Sequence, residues 1–94
     1  MTATLAIRIR IEGRVQAVWF RGWTMDEARR RGLAGWVRNR RDGSVEALFS
    51  GREEAVREMV SLCHEGPPAA RVTAVIEAPA KAPEDPDFRY LADD

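Results

Sequence analysis

Leu5, Ile7, Ile9 and Ile11 alternate with Ala6, Arg8, Arg10 and Glu12 near the start of the chain. Period two with branched residues on one face predicts a half-buried strand. From Phe20 the period lengthens. Phe20, Thr24 and Ala28 follow at four-residue steps with Met25 beside them, which predicts a helix running to about Arg31. Gly32 supplies a left-handed stop, and Leu33 folds back as its apolar contact. Residues 33–40 and 44–50 predict a second and a third strand, joined by Arg41-Asp42-Gly43, whose Asp and Gly tolerate the conformations a hairpin demands. Ser50 and Glu53 have the spacing of a capping box, which would open a second helix at Gly51. Its apolar positions Val56, Met59, Val60 and Cys63 recur at three- and four-residue steps, and Gly66-Pro67-Pro68 ends it. Val72, Ala74 and Ile76 alternate as a fourth strand. A loop rich in Pro and acid follows over 79–86, and residues 88–91 could add a short edge strand.

The order β-α-β-β-α-β predicts an α+β, ferredoxin-like sandwich: a four-stranded antiparallel sheet with both helices on one face. One domain is expected over residues 1–94, its core at about 5–78 and a C-terminal loop with a possible edge strand at 79–94. The chain of 94 residues, 45% apolar, allows one core. No apolar run approaches the roughly 20 residues that span a bilayer, and arginines interrupt the first strand where a secretory signal would be apolar. Cys63 is the only cysteine, so no intrachain disulfide and no thiolate metal cluster can form. A cytoplasmic, monomeric protein is expected.

The formal net charge of zero hides an asymmetry. Residues 1–41 carry ten Arg against Glu12, Asp26 and Glu27, a net +7, and residues 42–94 carry a net −7. A positive first half would suit and steer an anionic ligand. The plainer reading, a solvated arginine surface neutralised by the second half, is preferred for most of these residues.

Between the first strand and the first helix lies Gly13-Arg14-Val15-Gln16-Ala17-Val18-Trp19-Phe20-Arg21. Backbone N–H groups of a loop in that position can converge on an anion, aided by the positive end of the following helix. Arg21, at the helix start, brings a planar fork of donors suited to phosphate. On these residues alone the stretch is either an oxyanion site or a loop that merely turns the chain. The usual catalysts are missing around it. His64, the only histidine, adjoins Cys63 on a helix, where neighbours point about 100° apart and make a poor nucleophile–base pair. Residues 13–20 hold no His, Cys or carboxylate for a metal, and Glu53 and Glu54 suit a helix start.

The stretch closely resembles the acylphosphatase signature Gly-x-Val-Gln-Gly-Val-x-Phe-Arg. The second signature of that family, Gly-Trp-Val-x-Asn, is matched by Gly35-Trp36-Val37-Arg38-Asn39, followed by Asp42-Gly43 and Val45-Glu46. The segment from Gly66 to Val72 is also similar to the family, and the resemblance runs from about Ile7 to Ile76. It implies hydrolysis of acyl phosphates to a carboxylate and inorganic phosphate, with no metal or cofactor. Gly13, Arg14, Val15, Gln16, Ala17, Val18 and Trp19 would cradle the phosphoryl oxygens through backbone N–H groups. Arg21 would clamp the phosphate and Asn39 would orient the attacking water. Trp19 and Trp23 could line the mouth of the site or cap the helix.

Two positions depart from the family pattern: Ala17 stands where glycine is usual, and Arg31 where leucine is. An ordinary backbone conformation is expected at Ala17. A non-catalytic phosphate-binding module of the same family is the alternative function. An RNA-binding module on the same plan is disfavoured, because Arg8 and Arg10 occupy strand positions where such modules stack bases, and the third strand offers only Phe49. No nucleic-acid or membrane partner is expected.

Overall fold

The computed structural model describes residues 3–93; Met1, Thr2 and Asp94, part of the domain expected over 1–94, lie outside the described residues. Strand β1 (Thr4–Arg14) leads into α1 (Phe20–Arg30), then β2 (Ala34–Asn39), β3 (Val45–Arg52), α2 (Glu53–Cys63), β4 (Arg71–Pro79) and β5 (Phe88–Tyr90). The sheet order is β4-β1-β3-β2-β5. The ferredoxin-like class holds, but the expected four-stranded antiparallel sheet is a five-stranded mixed one. Residues 88–90 pair parallel to β2, with Gly35 opposite Phe88 and Val37 opposite Tyr90.

Alternation decides which face is buried. Ile7, Ile9 and Ile11 of β1 join Val45, Ala47 and Phe49 of β3 in a single core with Phe20 and Ala28 of α1 and Val56, Met59, Val60 and Cys63 of α2. The stop after α1 is a Schellman motif: the Leu33 N–H donates to the Ala28 carbonyl at 3.0 Å and the Gly32 N–H to the Arg29 carbonyl at 3.0 Å. Phe88 closes the core from the far edge, 1% exposed and stacked on Phe49 at 5.7 Å between ring centroids. Phe49 is therefore wholly inside and offers no surface for base stacking.

Two local expectations are overturned. Helix α2 begins at Glu53, and its N-cap Arg52 is extended with no side-chain cap, so Ser50 and Glu53 form no capping box. Ser50, Gly51 and Arg52 instead pair with Ala6, Leu5 and Thr4 of β1, and the Glu53 N–H donates to the Ala3 carbonyl at 2.9 Å. Pairing across the sheet outweighed a local cap. In β4 the alternation of Val72, Ala74 and Ile76 is broken by a register shift at Glu12/Gly13. Val72 and Val75 both pack on the core, while Ile76 is 43% exposed.

Candidate active site

The loop between β1 and α1 is held from both sides. Gly13 ends the regular part of β1 at the register shift, where a Cβ would lie 2.2 Å from the Arg71 carbonyl oxygen. Only glycine lets β4 come that close. Val15 is buried in the core at 1% exposure. The Gln16 side chain turns the other way and donates both to the Arg40 carbonyl (2.7 Å) and to the Ser44 carbonyl (2.9 Å). The loop is thereby tied to the β2–β3 hairpin, the element that carries Asn39.

Beyond Gln16 the backbone leaves the ordinary region. Ala17 has φ 61° and Trp19 has φ 65°, with no positive φ at Val18 between them. The expectation of an ordinary conformation at Ala17 is overturned. Left-handed backbone costs a side-chain-bearing residue about 1–2 kcal/mol, and two such residues in three are retained where the surroundings impose them. Alternating handedness turns successive N–H groups into a concavity that suits an anion. It leads into α1, whose N-cap Trp19 makes no side-chain cap and whose first turn has no acidic residue, so the positive helix end is not offset locally.

A cavity of about 300 Å³ opens at this point, lined by Val15, Ala17, Trp19, Phe20, Arg21, Gly22, Asn39 and Tyr90. Arg21 and Asn39, from α1 and the end of β2, thus meet at one cavity. The Arg21 guanidinium donates to an Asp93 carboxylate oxygen at 2.7 Å, and its Cζ sits 4.7 Å from the centre of the Tyr90 ring. Asn39 is 6% exposed, and its buried Oδ1 has no hydrogen-bond partner. A buried side-chain carbonyl oxygen left unsatisfied costs about 1–3 kcal/mol, and the Thr24 hydroxyl of α1 is likewise buried without a partner.

The strands around Asn39 are fixed by ions and by a turn. Glu46, 8% exposed, accepts from Arg38 Nε and Arg40 Nη1, both at 2.9 Å. Asp42 accepts from the Ser44 N–H (2.9 Å) and hydroxyl (2.6 Å), and those two bonds hold its carboxyl below its ordinary value of 3.8.

Not every residue of the loop reaches the cavity. Gly13 and Arg14 remain paired with β4, opposite Val72 and Arg71, and Val18 packs against the core. Trp23 sits edge-on to Phe20, with centroids 5.4 Å apart, and Trp19 is the tryptophan that lines the cavity. The sequence pattern does not point to Tyr90 or Asp93: a three-residue strand carries too little periodicity to place Tyr90, and Asp93 lies beyond it. Cys63 is buried and its thiol is pushed far up by desolvation, while His64 is exposed. Among the described residues no three His, Cys, Asp or Glu side chains gather as metal ligands, and no helix is long and apolar enough to cross a membrane.

The sequence profile of the family described as acylphosphatase matches residues 7–90. The acylphosphatase of Rhodospirillum rubrum is 56% identical over 80 residues, covering 85% of this chain and 88% of that one. Among solved structures, an acylphosphatase from Coxiella burnetii superposes with a TM-score of 0.89 at 31% identity, over 94% of this chain and 93% of that one. Full-length HypF, bound to phosphate and nucleotide, superposes at 0.88 with 25% identity, over 100% of this chain but 13% of HypF.

Proposed function

The chain belongs to the acylphosphatase family, and from that premise we propose how its own residues hydrolyse an acyl phosphate to a carboxylate and inorganic phosphate. The substrate phosphate takes the place of the Asp93 carboxylate on Arg21, whose planar fork of donors grips two of its oxygens. Backbone N–H groups of the loop over residues 15–19 and the start of α1 hold the phosphate from the opposite side. A water donates to Asn39 Oδ1 and is aimed at phosphorus. As its oxygen bonds to phosphorus, the bond from phosphorus to the acyl oxygen breaks and the electron pair leaves with the carboxylate. The water's protons pass to the phosphate and to solvent. A carboxylate is a good leaving group, so positioning and charge stabilisation carry the reaction without a protein base or a metal.

The observation that carries this reading is the meeting of Arg21 and Asn39 at one cavity, beside the left-handed loop that leads into α1. A non-catalytic phosphate-binding module is the lesser reading, because relatives 56% and 64% identical over most of the chain are named acylphosphatases. We take the protein to act as a cytoplasmic monomer on a small molecule, without nucleic acid or membrane; one buried free thiol is in keeping with a reducing compartment.

Asn39→Ala tests the assignment. Its kcat on benzoyl phosphate, assayed with chelator present, should fall roughly 10²-fold or more, while inhibition by inorganic phosphate persists. Loss of phosphate inhibition along with kcat would move Asn39 into the anion cradle.

A further inference from the structure

The acyl half of the substrate has no partner in the mechanism above, yet the rim of the same cavity is unusual. Three large apolar side chains stand exposed among the described residues: Trp19 at 63%, Tyr90 at 47% and Ile76 at 43%. Two of the three, Trp19 and Tyr90, line this one cavity. An indole so exposed adds little to the core, but the chain departs twice from its local preferences to hold it. Trp19 adopts a left-handed backbone. Gly22, inside the first turns of α1 where glycine is a poor helix former, leaves room for it: a Cβ at Gly22 would lie 2.2 Å from the indole Nε1. Tyr90 in turn is brought in by β5, whose parallel pairing with β2 sets Tyr90 opposite Val37, two residues from Asn39.

We propose that Trp19 and Tyr90 form the acyl subsite, and that acyl phosphates bearing an aromatic or similarly broad apolar group are its preferred substrates. The inference rests on the activity proposed above and specifies its substrate class. The phosphoryl end is fixed by Arg21 and the loop N–H groups with the water on Asn39, and in-line attack sends the leaving carboxylate away from the water. A flat acyl group lying over the cavity mouth would stack on the indole and phenol faces, which hold apolar area with little side-chain entropy to lose. Acetyl phosphate, with one methyl, has almost nothing to place there.

The test compares kcat/KM for benzoyl phosphate and acetyl phosphate in the wild type, Tyr90→Ala, Trp19→Ala and Gly22→Ala. The wild type should favour benzoyl phosphate, and the ratio of the two values should fall about tenfold in Tyr90→Ala and in Trp19→Ala. Gly22→Ala guards against misfolding as the cause. Alanine is the better helix former, so this variant should unfold at higher urea while its added methyl displaces the indole and lowers the same ratio. Equal losses on both substrates, or an unchanged ratio in all three variants, would overturn the subsite while leaving the activity intact. Hydrolysis of neither substrate by the wild type would overturn the activity itself and the subsite with it.

Discussion

Arg21 meets a carboxylate at 2.7 Å and the face of an aromatic ring at 4.7 Å, and it lines the cavity with Asn39. Each contact depends on a flat, forked cation. Lysine keeps the charge but loses the fork and the stacking plane. Arg21→Lys should therefore lower kcat/KM roughly 10³-fold, about 4 kcal/mol of lost stabilisation; a value within about tenfold of wild type would make Arg21 a surface residue. Ala17 presents the opposite case, a side chain in a backbone region that glycine fills more readily. With φ at 61°, Ala17→Gly relieves on the order of 1 kcal/mol of strain. It should tighten inorganic phosphate up to about fivefold, read as a lower inhibition constant. No change would mean that the loop bears its strain without consequence for the anion.

At the scale of elements, the β2–β3 hairpin does most to build the site: it carries Asn39, receives Gln16 and is pinned by Asp42. Because the Asp42 carboxyl lies lower when folded than its ordinary 3.8, its contribution is fully present above that pH and is lost as the pH falls through the folded value. Urea unfolding of wild type and Asp42→Asn should differ near about pH 6 and converge in stronger acid. A gap that stays constant with pH would assign the difference to shape alone. Both helices were legible in the sequence because their periodic faces, Phe20, Thr24 and Ala28, then Val56, Met59, Val60 and Cys63, are the faces that became buried. The Schellman stop at Gly32 was equally local. What escaped was set by distant partners: Ser50 to Arg52 were claimed by β1, and the register shift in β4 answers to Gly13. Arg21 and Asn39 could be named from motifs, but the handedness at Ala17 could not, because a side-chain pattern does not encode the sign of φ.

For the molecule as a whole, the split between a basic first half and an acidic second half is bridged in part by ion pairs across it. Arg8, Arg38 and Arg40 surround Glu46, Arg31 reaches Glu58, and Arg21 reaches Asp93. The core closes only when the C-terminal segment arrives, since Phe88 is 1% exposed against Phe49. Phe88→Ala should cost about 3–5 kcal/mol, a large part of the 5–15 kcal/mol typical of a domain, and should lower the urea midpoint without changing its slope. A loss below about 1 kcal/mol would show that the ring is carried by the fold and not needed by it.

Three residues, Phe88–Tyr90, lie against β2 as its outer neighbour. Without them, the backbone donors and acceptors of β2 from Gly35 to Val37 would face outward as a template for another chain. The opposite border, β4, carries Arg71 and Glu77 and ends at Pro79, residues that discourage such docking. The small strand that presents Tyr90 to the cavity thus also shortens the open border of the sheet to three residues, and losing it would bare a longer edge to pairing with another chain.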